Sequence, residues 1–300
     1  MMLTPVVRLL LAGWLLVAGI AHGAGVPLTI GSISGDPAKE IPTFLPFAHY
    51  LAERLAPQGI GKGQVLVAAS MREMADMLKN GRVDLFLESP LSSVQVNQWA
   101  GSKMILRRWK GGKADYRAVI FVKKESPIQE LSQLAGQLVG FKDPFSSSSY
   151  LLPRIVMEQA GLSLVDMTRE QGKVPEGKTG YLFTNDRETN LFWVIMGKTV
   201  AGAMSPEELD KQAKGDRDKL RVLHETFPIP RHVVNVRGDL PEPVLQALTQ
   251  TLLGMDQDET GKQVLQKFEK TSRFDPIPPD VQARLQQLTP NILAILGNQP

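Results

Sequence analysis

Short apolar runs alternate with amphipathic segments along most of the chain. Residues 26–33 form an apolar run that ends in a polar Ser-Gly-Asp loop, and residues 41–55 then place apolar side chains on one helical face, with Pro46 near the first turn. The same pattern predicts further strands at 65–69 and 83–87. Strands that alternate with helices in this way are typical of an α/β fold.

The alternation continues through the middle of the chain. There the pattern predicts strands at 117–123 and 138–141, a short helix at 128–134, and a helix at 150–160 that Gly161 ends. The last part is predicted to be largely helical, with helices at 243–255, 262–268 and 281–288. A chain of 300 residues commonly forms two domains. Because no internal repeat or low-complexity linker separates two halves, we expect the second lobe to be inserted into the first.

Composition and charge fit an ordinary globular protein. Hydrophobic residues make up 43% of the chain and charged residues 22%, unlike the composition of disordered chains. The 34 basic and 31 acidic residues are interleaved, and the net charge is only +3. Because the sequence contains no basic helix or aromatic-interleaved basic patch, nucleic acid is not expected as a partner. A mild positive balance would help to attract a small anion.

Residues 1–23 have the three parts of a secretory signal peptide. Arg8 supplies the positive charge, residues 9–21 form the apolar region, and small residues precede a cleavage site that we place before Ala24. The chain contains no cysteine, so it has neither disulfides nor the cysteine that a lipid anchor requires. We therefore expect an exported periplasmic protein that is not a lipoprotein.

Two enzyme motifs fail in their context. Residues 172–179 match the phosphate-binding P-loop pattern, but residues 180–183 after them are predicted to be a strand where a P-loop requires a helix. Residues 31–35 resemble a nucleophile elbow but place Ile33 where the serine must stand. The histidines of the mature chain are not spaced as metal ligands. We therefore expect no enzyme, no metal and no cofactor, and an exported hydrolase or transferase is the less favoured alternative.

Four consecutive serines, Ser146–Ser149, lie between the predicted strand that ends at Phe141 and the predicted helix from Tyr150. Backbone N–H groups at the start of a helix have no intrahelical partner, and the helix dipole is positive there. Serine hydroxyls add further donors, so the segment suits a desolvated oxyanion. A single serine is enough to cap a helix, and the chemistry alone leaves a plain cap and an anion site equally open.

Several segments resemble those of a known family, and in the same order. Residues 143–153 are similar to the D-P-S-S-T-S-G-Y-L-x-P motif of the phosphate-, phosphite- and phosphonate-binding proteins of ABC importers. Residues 44–51 resemble the first helix of that family, and residues 80–92 resemble its N-G-x-V-D-L and G-P-L-S stretch. Residues 116–120 and 239–243 resemble its Y-R-S-V-I and D-L-P-P-E elements.

The resemblance implies a type II periplasmic-binding-protein fold, which is α/β with two lobes, a hinge and an interlobe cleft. We expect the first lobe at 24–122 and 228–300 and the inserted second lobe at 123–227. The resemblance further implies a binding protein, in our expectation a monomer, that captures a phosphonate, phosphite or phosphate-like oxyanion. It would deliver this ligand to the transmembrane permease subunits of an ABC importer. A membrane sensor that belongs to a signalling receptor is the alternative partner.

The resemblance also suggests which residues contact the ligand. The first three serines of the run occupy the S-T-S positions that bind phosphoryl oxygens, and the fourth replaces a glycine. Arg187 stands where the family often has a histidine that faces the anion, although a solvated loop charge is an equally good interpretation. Ser205 replaces the acidic residue that holds the amine of aminoalkylphosphonates, which argues against such a ligand. The expected ligand-binding residues are Ser34, Glu88, Ser89, Ser146, Ser147, Ser148, Ser149, Arg187 and Ser205.

Overall fold

The structure, a computed structural model, describes residues 25–168 and 172–297, and the predicted signal peptide lies outside this part of the chain. Within it, the strands form two six-stranded sheets and one two-stranded ribbon. We call each large sheet with the helices that follow its strands a lobe. In the described ranges, no helix is both long and apolar enough to span a bilayer.

The secondary structure follows the predicted alternation. The strands are β1 (Val26–Ile33), β2 (Ile60–Ala68), β3 (Leu85–Glu88), β4 (Lys103–Arg108), β5 (Asp115–Tyr116), β6 (Val119–Lys123), β7 (Leu138–Phe141), β8 (Leu164–Asp166), β9 (Thr179–Phe183), β10 (Ala201–Met204), β11 (Leu220–Glu225), β12 (Ile229–Pro230), β13 (His232–Val236) and β14 (Phe274–Asp275). The helices are α1 (Pro37–Arg54), α2 (Met71–Lys79), α3 (Pro90–Ala100), α4 (Leu152–Gln159), α5 (Arg187–Ile195), α6 (Pro206–Ala213), α7 (Glu242–Gly254), α8 (Glu259–Lys267) and α9 (Pro279–Gly297).

The first lobe contains the sheet with strand order β14-β4-β13-β3-β1-β2. Its central strand β1 is parallel to both β2 and β3. The apolar side chains of β1 and β3 pack against α1, α7 and α8 in one buried cluster. Because β1 and β3 run in the same direction, they end at the same edge of the sheet, where α1 and α3 begin.

The second lobe contains the sheet with strand order β11-β6-β10-β7-β9-β8. Strand β7 is parallel to both β9 and β10. The carboxyl ends of these three strands therefore share one edge, and the helical segments that follow them begin there. This edge contains the serine run, which follows β7.

Two features join the lobes. Strands β5 and β12 pair antiparallel in the two-stranded ribbon, through which the chain passes into and out of the second lobe. Side chains of α9 lie in the same buried cluster as those of α3 and α4. Strand β6 belongs entirely to the second sheet, so the expected border at 122/123 falls inside this strand, while the division of the chain into lobes stays a prediction.

Several predicted elements are confirmed, and others have different bounds. Strand β1 spans the predicted residues, and the P-loop-like segment is followed by β9 instead of a helix. Helix α1 begins at Pro37 instead of residue 41, with Asp36 as its N-cap, so Pro42 and Pro46 both lie inside it. The predicted helix at 128–134 is only a short 3₁₀ turn at Leu131–Leu134.

Candidate functional site

The serine run begins the helical segment that follows β7. Ser146 is the N-cap, and its hydroxyl accepts a hydrogen bond of 3.1 Å from the Ser149 amide. Residues Ser147–Leu151 form a π-helical turn before α4, with the Leu151 amide bonded to the Ser146 carbonyl at 3.0 Å. Such turns often occur at functional sites. The amides of Ser147 and Ser148, as the first of the helix, have no intrahelical acceptor.

The side chain of Ser149 is held within the second lobe. Its hydroxyl donates to the Ala203 carbonyl at 2.5 Å and accepts from the Lys142 amide at 3.0 Å. These two bonds tie the helix start to β10 and to the loop after β7. The position therefore has a structural role.

Helix α3 of the first lobe begins directly opposite the serine run. Ser89 is its N-cap residue, and the Ser89 hydroxyl lies 2.8 Å from the Ser147 hydroxyl of the second lobe. The Ser89 hydroxyl also lies 3.2 Å from that of Ser92, one turn into the helix. The side chain of Tyr116, from the ribbon between the lobes, also lies close to Ser147.

We call these four residues, Ser89, Ser92, Ser147 and Tyr116, the hydroxyl cluster. Its serines are only 5–7% exposed. Burial raises the pKa of Tyr116 to about 12, so its hydroxyl keeps its proton at neutral pH. The cluster brings together two helix starts and four neutral hydroxyl groups at the boundary between the lobes.

Glu88 lies at the edge of the hydroxyl cluster. Its carboxylate accepts a 2.6 Å hydrogen bond from the Ser89 amide. Burial raises the pKa of Glu88, although the bond from Ser89 and the charge of Lys110 favour the ionised form. Glu88 therefore places a carboxylate beside the start of α3, and when ionised it would repel a bound anion.

The other expected ligand-binding residues are engaged in local contacts. Ser205 and Glu208 form a capping box at the start of α6. Arg187, at the start of α5, pairs with the Glu208 carboxylate at 2.7 Å. The Ser34 hydroxyl accepts a 3.1 Å hydrogen bond from the Asp36 amide in the loop before α1. The structure thus brings Ser89 and Ser147 together, with Ser148 and Glu88 beside them.

Sequence reasoning missed two members of the hydroxyl cluster, Tyr116 and Ser92. Both lie in segments that resemble family motifs, so the motifs were the available signal. Neither residue type is diagnostic by itself. Their role depends on how the ribbon and α3 meet the second lobe.

A cavity of about 570 Å³ lies beside the hydroxyl cluster. Ser92 and Glu88 form part of its wall, and most of the remaining wall is apolar, with side chains from both lobes. In the described part of the chain, no group of three or more histidine, aspartate or glutamate residues could hold a metal ion.

Comparison with known proteins reveals similar proteins of known structure. XAC2383 from Xanthomonas citri, solved with a chloride ion and also with ATP, is 28% identical and has a TM-score of 0.82. The alignment covers 91% of this chain and 99% of that protein. PhnD1 from Prochlorococcus marinus, solved with methylphosphonate, is 21% identical with a TM-score of 0.61, over 91% of this chain and 99% of PhnD1.

A sensor protein is also similar over part of its length. The tetrathionate sensor histidine kinase TtrS of Salmonella typhimurium is 25% identical over 190 residues, which is 60% of this chain but only 30% of TtrS.

The similar structures confirm the predicted two-lobed type II periplasmic-binding-protein fold. Residues 32–281 match the family described as the phosphonate periplasmic substrate-binding proteins of ABC transporters. This match covers most of the chain, and the resemblance predicted from the sequence is confirmed. The chain therefore belongs to this family of periplasmic substrate-binding proteins.

Proposed function

We propose that the protein captures a small tetrahedral oxyanion between its lobes and delivers it to the permease of an ABC importer. The observation that carries the proposal is the 2.8 Å contact between the Ser89 and Ser147 hydroxyls. It brings the starts of two helices from different lobes face to face.

The electrostatics of this arrangement favour an anion. Each helix start has a partial positive charge, so two of them in contact repel unless negative charge lies between them. The Ser147 and Ser148 amides and the hydroxyl cluster supply donors for several oxygen atoms. An oxyanion can leave water only when most of its lone pairs find such donors. We propose Ser89, Ser92, Ser147, Ser148 and Tyr116 as the ligand-binding residues.

The position of the donors suggests how the ligand is enclosed. Ser89 belongs to the first lobe and Ser147 to the second, while Tyr116 lies in the ribbon that joins them. A ligand would enter when the lobes part and would replace the direct hydroxyl contact. Closure around the ligand by a hinge at the ribbon would then complete the site.

The ligands of similar proteins support this proposal. XAC2383 holds chloride or ATP and PhnD1 holds methylphosphonate in their solved structures, and all three are anions or contain phosphorus oxyanions. The phosphonate family to which the chain belongs has the same chemistry. Phosphonate, phosphite and phosphate are therefore the first ligands to test.

A thermal-shift panel tests the proposal. It contains phosphate, phosphite, methylphosphonate, aminoethylphosphonate, sulfate, ATP and small carboxylates. We expect at least one oxyanion to raise the melting temperature, because a ligand that binds only the native state stabilises it. The double substitution Ser147→Ala with Ser148→Ala should abolish the shift and leave the unliganded melting temperature nearly unchanged.

The matched control combines Ser132→Ala with Ser163→Ala, two exposed serines of the second lobe. It should keep the ligand-induced shift. Failure of every oxyanion to shift the melting temperature would contradict the proposal, as would a full shift in the Ser147/Ser148 variant.

Similarity to TtrS favours a second candidate function, in which the liganded protein acts in sensing. Deletion of the gene separates the two roles. Loss of ligand uptake would support transport, whereas normal uptake with a lost transcriptional response to the ligand would support sensing.

The same proposal includes export. We propose that residues 1–23 direct the protein to the periplasm and that cleavage occurs before Ala24, without a lipid anchor. The mature protein would act as a monomer. Sequencing of the mature N-terminus and a measurement of its mass in solution test these two points.

A further inference from the structure

The hydroxyl cluster contains no cation, although an oxyanion would bring one or two negative charges into it. A buried anion needs hydrogen-bond donors or an opposite charge to compensate for its lost hydration. The cation expected from the sequence, Arg187, is already paired with the Glu208 carboxylate at 2.7 Å. A positive charge that compensates the ligand must therefore come from another residue.

Arg231 lies directly after β12, at the ribbon that joins the lobes. Its amide donates to the Ala114 carbonyl at 2.7 Å, which extends the pairing of β5 with β12 by one step. The central carbon of its guanidinium group lies over the ring of Tyr116, 4.7 Å from the ring centroid. Because Tyr116 lies close to Ser147, this stack places a full positive charge beside the proposed oxyanion site.

The guanidinium group of Arg231 is available for a ligand. Within the part of the chain that the structure describes, its side chain forms the stack on Tyr116 but no ion pair and no hydrogen bond. The acidic residues at the start of α6 have other partners, because Glu207 pairs with Lys113 and Glu208 pairs with Arg187. A guanidinium group presents five N–H donors in a planar fork that matches the oxygen atoms of an oxyanion. Arg231 therefore keeps both its charge and its donors.

A second stacked arginine provides a comparison. Arg273 lies over the ring of Trp109 at 3.9 Å, so it makes the same kind of contact on a residue outside the hydroxyl cluster. Arg273 is exposed, whereas Arg231 is half-buried. Water and salt screen a half-buried charge less than an exposed one. The charge of Arg231 should therefore act more strongly on a neighbouring anion.

We infer that Arg231 is a further ligand-binding residue, and that its charge makes the site prefer a doubly charged oxyanion over a singly charged one of the same shape. The Coulomb energy is proportional to the charge of the ligand, so a dianion gains twice as much from Arg231 as a monoanion does. This inference rests on the proposed function, because the hydroxyl cluster must hold the anion. The neutral hydroxyls then select the shape of the ligand, and Arg231 selects its charge.

Calorimetric titration of the mature protein with methylphosphonate and methanesulfonate tests the inference. The two anions have nearly the same shape, and at about pH 9 the phosphonate carries two negative charges and the sulfonate one. The Arg231→Met variant keeps an unbranched side chain and loses the charge. We expect it to bind methylphosphonate about tenfold more weakly than the wild type and methanesulfonate only about threefold more weakly.

Two further variants separate charge from packing. Arg231→Lys keeps the positive charge but loses the planar fork, and it should weaken methylphosphonate binding less than about threefold. The matched control is Arg273→Met, which removes a stacked guanidinium group from Trp109 instead of Tyr116. It should leave both affinities unchanged. The melting temperature of each unliganded variant should stay close to that of the wild type.

The outcomes separate this inference from the proposed function. If Arg231→Met leaves methylphosphonate binding unchanged, or weakens both anions equally, the inference is wrong and the oxyanion site stands. An equal loss in Arg231→Lys, a wild type that prefers methanesulfonate, or a large fall in the melting temperature of Arg231→Met would also overturn it. If the wild type binds methylphosphonate alone, the Met and Lys variants decide on that ligand. If it binds no phosphonate, phosphate or sulfate, the proposed function is wrong as well.

Discussion

The end of strand β4 and the hydroxyl cluster have opposite chemistry. Arg107 and Arg108, which we call the arginine pair, are fully charged groups that face carboxylates. Arg107 pairs with Asp115 at 2.8 Å and with Asp275 at 2.7 Å, and Arg108 pairs with Glu269 at 3.0 Å. The hydroxyl cluster consists of neutral donors. In this protein the strongest local charges stabilise the fold, and neutral dipoles form the proposed anion site.

Burial explains why the arginine pair stabilises the fold and is not available to bind an anion as well. The Arg108 side chain is 0% exposed, stacks on Phe268 at 3.9 Å and donates to the Thr271 hydroxyl at 2.9 Å. Burial lowers the pKa of Arg108 to about 10, and Glu269 opposes that shift. A buried charge is tolerable only when it is paired, so these guanidinium groups are already committed to their carboxylates.

The largest expected effect is a loss of stability when one member of the arginine pair is replaced. The Arg108→Ala substitution should lower the free energy of unfolding by about 3 to 5 kcal/mol, because it removes a buried ion pair and opens a cavity over Phe268. Urea denaturation of the unliganded protein measures this loss. Arg117→Ala is the control, since its 3.3 Å pair with Glu225 is exposed and should contribute less than about 0.5 kcal/mol. Similar losses of unfolding free energy in the two variants would contradict the special structural role of the arginine pair.

Substitutions of two neighbouring serines should have different effects, one on stability and the other on oxyanion binding. Ser149→Ala should lower the free energy of unfolding by about 2 kcal/mol, because the Ala203 carbonyl and the Lys142 amide lose their shared partner. Ser148→Ala should leave stability within about 0.5 kcal/mol and weaken oxyanion binding about tenfold. Urea denaturation and calorimetric titration of each variant measure both quantities. If both variants lose mainly stability, or both lose mainly oxyanion affinity, the assignment of separate roles is wrong.

Glu88, a carboxylate beside the hydroxyl cluster, should make binding depend on pH. The pKa of Glu88 is raised by burial, and a bound anion would raise it further, so binding takes up a proton and strengthens as the pH falls. Glu88→Gln should bind methylphosphonate about tenfold more tightly than the wild type at pH 8 and about equally at low pH. The ratio of the two Kd values at each pH cancels the titration of the ligand.

The control for this pH dependence is Glu53→Gln, which changes an exposed glutamate of α1. It should follow the wild type at every pH. A constant ratio between the wild type and Glu88→Gln across the range would show that Glu88 stays in one protonation state.

The smallest effect concerns Glu269. Burial opposes its ionisation, but Arg108 and Lys110 outweigh that effect and hold the pKa of Glu269 below its usual value. A depressed carboxyl pKa stabilises the fold above the unfolded-state pKa, and this contribution is lost as the pH falls through the folded-state pKa. The wild type should therefore lose about 1 kcal/mol relative to Glu269→Gln between about pH 5 and pH 3. Urea denaturation at several pH values measures the difference, and parallel curves would contradict it.

The sequence predicted local features of the site well. A strand followed by serines and then by apolar helical periodicity predicted a helix from Tyr150 directly after the serines, and in the structure the helical segment begins earlier, with Ser146 as its N-cap. It could not distinguish the four hydroxyls from one another. The direction of the Ser149 side chain depends on Ala203, and the contact of Ser147 with Ser89 joins positions 58 residues apart.

Element bounds failed where tertiary context overrode a local rule. Pro46 made the start of α1 look later than it is, because a proline lacks the amide that an interior helix position normally uses. Asp36 nevertheless caps the helix through the Lys39 amide, and Pro37 fits the first helical turn. Pro42 is exposed, so water can satisfy the carbonyl group that its missing amide leaves free.

The bonds of Ser149 have a consequence for selectivity. Because its hydroxyl ties the serine run to β10 and to the loop after β7, the amides at the helix start are preorganised before any ligand arrives. Little entropy would then be lost when an anion binds. A rigid set of donors binds most tightly the anion whose oxygen atoms lie along the donor directions. The geometry of the anion, more than its charge, would therefore decide between tetrahedral and planar anions.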